Sequence, residues 1–189
     1  MSPQTHAVGG IDMSAGKTPQ DKVKVMFVCM GNICRSPSAE AVFHYHVQTS
    51  GLKDYIHVAS SGTHSYHVGE PADSRSHSAA LDRGIDMSTH RAQHFKKEHF
   101  EQYDYILVMD RKNHDHVMSM CPNGSQEKVH YFLDFAPQLN VQEVPDPYFG
   151  GPDGFEHVLD LIEAASAGLM SEIRERYVDP PLLHPEINA

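Results

Sequence analysis

Apolar and polar positions follow two rhythms along the chain, and each change of rhythm marks an element. Val23, Val25, Met26, Phe27 and Val28 form a short β-rich run, the composition of a strand buried on both faces. A loop over residues 29–36 follows at once. Ala39, Val42, Phe43, His46 and Val47 then recur at helical spacing until Gly51, a plausible terminator. Ser36 falls at the N-cap of that helix and Pro37 at its first position. Ile56 and Val58 mark a second strand, residues 73–83 a helix closed by Gly84, Tyr105 to Met109 a third strand and Tyr131 to Phe135 a fourth. The last strong element starts near Asp153. There Phe155, Val158, Leu159, Ile162, Ala165, Leu169 and Ile173 make an amphipathic stripe, and Asp153 with Glu156 has the form of a capping box. Strands alternating with helices predict βαβ crossovers, hence an α/β fold of three layers: a four-stranded parallel sheet with helices on both faces. Ligands in such sheets bind at the carboxyl ends of strands, where the first strand delivers Cys29.

Composition narrows this picture. The 189 residues, 40% of them hydrophobic, are enough for one buried core and too few to make two domains the expectation. Residues 1–20 mix Ser, Pro, Gly, Thr and Gln without periodicity and read as a flexible extension, residues 21–177 as the domain, and residues 178–189 as an irregular Pro-rich tail. A formal net charge of -10 disfavours nonspecific attraction to nucleic acid or anionic lipid and suits a basic partner surface. No apolar run approaches the roughly 20 residues that would cross a bilayer, and the start lacks the apolar centre of a signal peptide. A cytoplasmic protein without membrane insertion is expected.

Three cysteines, Cys29, Cys34 and Cys121, do not make a secreted disulfide framework, so a reducing compartment and a free thiol follow. The fifteen histidines are scattered. Pairs such as His44/His46 and His114/His116 sit two apart, which splays them on a helix, and no dedicated metal site or cofactor is expected.

The candidate chemistry lies in Cys29-Met30-Gly31-Asn32-Ile33-Cys34-Arg35-Ser36, where five residues separate a thiol from a guanidinium and a hydroxyl follows. If those five wrap into a nest, their N–H groups point at phosphate oxygens and the next helix aims its positive end at the same place. Gly31 can supply a positive φ and Asn32 tolerates one. Arg35 would grip two equatorial oxygens, which lysine cannot. Cys29, surrounded by N–H donors, would be a thiolate at neutral pH, steadied by Ser36. The competing reading is a buried cysteine ending a strand, with Arg35 and Ser36 in an ordinary turn. The position between a strand and a Ser-Pro helix start argues against it.

Residues 28–43, VCMGNICRSPSAEAVF, resemble the phosphate-loop signature of the low-molecular-weight protein tyrosine phosphatases nearly letter for letter. The similarity continues through Ser60-Ser61-Gly62-Thr63, Gly84-Ile85-Asp86-Met87-Ser88, the run from Tyr103 to Asp110, and Asp146-Pro147-Tyr148-Phe149. It implies the flavodoxin-like fold of the phosphotyrosine protein phosphatase I type and hydrolysis of phosphotyrosine in proteins, and of small aryl phosphates, through a cysteinyl-phosphate. Phosphate, sulfate or vanadate would inhibit.

The resemblance also assigns roles. Asp146, held between Pro145 and Pro147, becomes the acid that protonates the leaving oxygen and then the base for water; alone, Pro-Asp-Pro would be a surface turn. Tyr66 and Tyr148 fall at substrate-wall positions, and Phe149 stands where many members carry a second Tyr. Asn32 and Ser60 match residues that brace the loop. Arg83 departs, standing where mammalian members carry a His of the same network. A Cys29–Cys34 disulfide would shield the nucleophile and switch activity reversibly, although a small buried filler is the alternative for Cys34. A thiol-dependent arsenate reductase would need relay cysteines, and none lies between Cys34 and Cys121. Relatives among protein-arginine phosphatases tend to carry Thr where this chain has Ile33, and a phosphotyrosine-binding module would not need Cys29, Arg35 and Asp146 together.

Overall fold

A computed structural model describes residues 21–151 and 153–179. β1 (Val23–Cys29) runs through the middle of the molecule, with a side chain buried at every position but Lys24. Its alternate residues serve two cores, as the period of two in a strand requires. Val23, Val25, Phe27 and Cys29 join the larger cluster, whereas Met26 and Val28 join the smaller one on the other face.

The other elements assemble around this strand. In chain order they are α1 (Arg35–Thr49), β2 (Ile56–Gly62), α2 (Ser74–Asp82), the short α3 (His99–Gln102), β3 (Tyr105–Val108), α4 (Arg111–Ser119), β4 (Val129–Tyr131) and α5 (Gly154–Ile173). The sheet has the order β2-β1-β3-β4 and every pairing is parallel, with Cys29 opposite Gly62 and Val28 opposite Val108. The stripe predicted for α5, Phe155 to Ile173, is buried against the larger cluster with Val42, Phe43 and Val47 of α1. Phe100 and Val117, from α3 and α4, cover the other face. The sheet is therefore sandwiched, and all four strands end on one side. Among the described residues no helix is long and apolar enough to cross a membrane.

Several boundaries differ from the expectation. The fourth strand is Val129–Tyr131; residues Phe132–Phe135 form a 3-10 turn instead. Phe132 and Leu133 are both buried, and adjacent residues can share one side in a tight turn but not in a strand. α1 begins at Arg35 with Cys34 at its N-cap, so Ser36 lies inside the first turn and caps nothing. Asp153 makes no capping hydrogen bond with its side chain. Asp73 does, accepting from Arg75 N at 2.9 Å. α4 was not foreseen. Residues 1–20 of the expected extension and residues 180–189 of the tail lie outside the described residues, while residues 174–178 close α5 with a π-helical turn.

Candidate active site

The loop after β1 is shaped from outside by its own carbonyls. Cys29 O accepts from Thr63 N and Met30 O from His64 N, both at 2.9 Å; Ile33 O accepts from Asp73 N at 2.8 Å, and Cys34 O from Ser38 N and its hydroxyl. Asn32 O receives the Nε2–H of His90 at 2.8 Å. Because a trans peptide sets each N–H opposite the preceding carbonyl, turning these carbonyls outward turns the N–H groups of Met30, Gly31, Ile33, Cys34 and Arg35 inward. A loop turned this way has the form of an anion nest.

Asn32 takes the left-handed conformation that closes the wrap, at φ 56°. Gly31 was expected to share that duty and does not. Its lack of a side chain serves close approach, since a Cβ there would sit 2.9 Å from the His67 ring. Gly62, at the end of β2, has the same role more severely: a Cβ would lie 2.7 Å from Met30 O. Backbone atoms cannot swing aside as a ring can.

Buried polar groups brace the loop from behind. Asn32 Nδ2 donates to Ser36 Oγ and to Ser60 Oγ, each at 2.8 Å, and Asn32 Oδ1 accepts from Gln93 N at 2.8 Å. Ser60 hands its own hydroxyl hydrogen to Glu40. Ser36 Oγ stands 3.0 Å from Cys29 Sγ, and Asn32 N donates to the same sulfur at 3.3 Å. Asn32, Ser36 and Ser60 are all at most 2% exposed, so a network in a low dielectric with its donors and acceptors matched fixes one loop shape.

Arg83 takes no part in this network. It closes α2 and pairs with Glu156, Asp160 and Glu163 on α5. The histidine whose side chain hydrogen-bonds the loop backbone at Asn32 is His90, which sequence reasoning did not single out. Burial keeps its ring below the ordinary histidine range, and the Asn32 carbonyl raises it only in part.

Arg35, 3% exposed, lies at the first position of α1. Its Nη1 donates to Asp110 Oδ2 at 2.6 Å and to Val144 O at 3.1 Å, and its Nη2 is 3.5 Å from Asp146 Oδ2. Burial would lower its pKa, but the Cys29 sulfur and the Asp110 carboxylate hold it above the ordinary arginine value. Asp110 was read only as part of a motif. It lies just past the end of β3, and Cys29 ends β1, so parallel pairing brings both to the same end of the sheet, where Asp110 also caps α4 through Asn113 N at 2.8 Å. A charged residue at a strand's carboxyl end was the signal available.

Asp146 caps a 3-10 turn, Pro147–Phe149, through Tyr148 N at 3.0 Å. Cys29, Met30, Gly31, Ile33, Cys34, Arg35, Asp146 and Tyr148 line one cavity of about 180 Å³, together with His67. Tyr66 is outside that lining: it is 74% exposed and stacks on His64, with ring centroids 5.3 Å apart. Phe149 falls in the turn, and its side chain is not among those described. Cys34 is free, and burial pushes its thiol up to about 12. The cavity therefore brings together a thiol, a buried guanidinium, a carboxyl and an aromatic side wall around a floor of amides.

Known proteins resemble this chain in sequence and fold. Residues 24–178 match the family described as low molecular weight phosphotyrosine protein phosphatase. A low molecular weight protein-tyrosine-phosphatase of Streptomyces coelicolor is 38% identical over 156 residues, 81% of this chain and 94% of that one. A protein tyrosine phosphatase of Entamoeba histolytica, solved with Hepes in its active site, superposes with a TM-score of 0.79 at 38% identity, covering 82% of this chain and 98% of the other. Wzb of Vibrio vulnificus, solved in complex with benzylphosphonate, gives 0.69 at 28% identity over 79% of this chain and 98% of its own.

Proposed function

The chain belongs to the low molecular weight protein tyrosine phosphatases, and from that premise we propose how its own residues divide the hydrolysis of phosphotyrosine. The floor of inward N–H groups and Arg35 hold the three non-bridging oxygens. Cys29 Sγ attacks phosphorus in line as the bond to the aryl oxygen breaks, and Asp146, protonated, gives its proton to the departing phenolate. Asp146 then takes a proton from a water that attacks the same phosphorus. The S–P bond breaks, and the sulfur leaves as a thiolate into hydrogen bonds from Ser36 and Asn32 N. Asp110 keeps the Arg35 fork aimed inward.

Tyr148 and His67 flank the aryl group, while the exposed Tyr66 is left for the substrate beyond the ring. Phosphotyrosine in proteins and small aryl phosphates are the substrates, and phosphate, sulfate or vanadate the expected inhibitors. The complexes with Hepes and benzylphosphonate in relatives support an anion with an organic arm. We assign the protein to the cytoplasm on its three unpaired-reading cysteines. We also assign Cys34 the reversible oxidative partnership with Cys29: a peroxide oxidises the Cys29 thiolate to its sulfenic acid, the Cys34 sulfur attacks that sulfur, the S–S bond forms as the S–O bond breaks and water leaves, and an external dithiol reduces the bond again.

The observation that carries this reading is the turning of the loop carbonyls outward around the Cys29 sulfur. Rapid-quench assay of an aryl phosphate tests it. A burst of phenol equal to the enzyme concentration and ahead of phosphate is expected, and phenol and phosphate appearing together from the first turnover with no phosphate held on the protein would defeat it.

A further inference from the structure

Tyr148 forms a wall of the cavity from a short turn and is 49% exposed. Arg75, on α2, packs over its ring. Its guanidinium lies over the Tyr148 ring, 5.1 Å from the centroid, and over the ring of Phe155, buried at the start of α5, at 4.9 Å. The guanidinium is itself immobilised by a fork: Nε to Asp73 Oδ1 at 3.1 Å and Nη2 to Asp73 Oδ2 at 2.9 Å. Asp73 in turn joins the phosphate loop, its N–H reaching Ile33 O at 2.8 Å.

A continuous line of contacts thus runs from the amide nest through Asp73 and Arg75 to the aromatic wall. We propose that Arg75 is a positioning residue that sets the Tyr148 ring at a fixed height over the phosphate site, so that the slot accepts a flat aryl group. The proposal deepens the phosphatase reading and rests on it. A planar cation is suited to both jobs, the fork on a carboxylate and the stack on a ring, and an ammonium can do only one at a time.

Calorimetric titration of benzylphosphonate and of inorganic phosphate separates the wall from the floor, and needs no turnover. Wild-type protein should prefer the phosphonate. Arg75→Ala should weaken the phosphonate about fivefold, the scale of one stacked cation, and leave phosphate within about twofold. Arg75→Lys should restore only part of the preference. Asp73→Asn keeps an N-cap acceptor for α2 but loosens the fork, and should move the phosphonate in the same direction. In a Tyr148→Leu background Arg75→Ala should have no further effect on the aryl preference. Equal weakening of both ligands, or full additivity with Tyr148→Leu, would overturn the positioning role while leaving the phosphatase reading intact. A wild-type protein with no preference for the phosphonate would overturn the aryl slot itself.

Discussion

The phosphate loop and the acid turn face each other across one cavity and are held by different means. The loop is braced from a buried side and overdetermined: Asn32 alone takes part in five hydrogen bonds through its side chain, its N–H and its carbonyl, those to Ser36, Ser60, Gln93, Cys29 and His90, with the left-handed backbone imposed on top. The acid turn is shallow. Asp146 is 29% exposed and Tyr148 49%, and the turn is steadied by the Asx hydrogen bond to Tyr148 N, by Gly150 N on Pro147 O, and by Arg35 and Arg75 from its two sides. The half that recognises an invariant tetrahedral anion can be rigid to the last amide. The half that must admit a substrate ring and release a phenol is better built from a turn and a stacked side chain.

Substitutions can break that contrast, and the deepest ones should cost most. Cys29→Ser should lower kcat by about 10⁴-fold or more, since an oxygen there is a poor nucleophile, while vanadate still binds. Loss of both activity and vanadate binding would mean that the sulfur also shapes the floor. Arg35→Lys should lower kcat by about 10²- to 10³-fold for every substrate alike, because an ammonium cannot fork two oxygens.

On the shallow side the effect should depend on the leaving group. Asp146→Asn should slow phenyl phosphate by about 10²-fold but p-nitrophenyl phosphate by less than about tenfold, as expected of general-acid assistance. Equal slowing of the two would remove Asp146 from the acid role. Asn32→Ala attacks the brace rather than the chemistry. It leaves the part-buried Gln93 N–H without its side-chain acceptor and forces alanine to positive φ, so about 2 kcal/mol of stability should be lost, read as a fall of roughly 4–8 °C in Tm.

The smallest effect is one of pH. Burial raises the Glu40 carboxyl above its ordinary range despite the Ser60 hydroxyl, so the folded state binds this proton more tightly than the unfolded chain does. Stability must then fall as pH rises from the unfolded value through the raised folded one. Glu40→Gln, which can still accept from Ser60, should melt higher than wild type at pH 7, with the gap closing in acid. A gap that widens in acid would reverse the assigned direction.

Much of this was legible before any coordinates. β1, the loop and α5 could be read because each obeys a single rule: a continuous apolar run, a fixed Cys-to-Arg spacing, a long stripe. Cys29, Arg35, Asp146 and Tyr148 meet at one cavity as the pattern and the resemblance implied. What was missed depends on contacts between distant segments. α4 buries only Asn113 and Val117, too little apolar periodicity to announce a helix. Asp110 and His90 act through partners 75 and 58 residues away, and the apolar string at 131–135 has the composition of a strand but packs as a turn. Arg83, read as a departure from the family pattern, is outside the network: His90 sits beside Asn32, and Arg83 clamps α2 to α5.

The direct test is to catch the phosphate on sulfur. Asp146→Asn protein mixed with an aryl phosphate, quenched in acid within the first turnover and digested, should yield one phosphorylated peptide carrying the group on Cys29, with the thiophosphate resonance in its ³¹P spectrum. Phosphate recovered on a histidine or serine, or full turnover with Cys29 never modified, would contradict a caged oxyanion held over that sulfur.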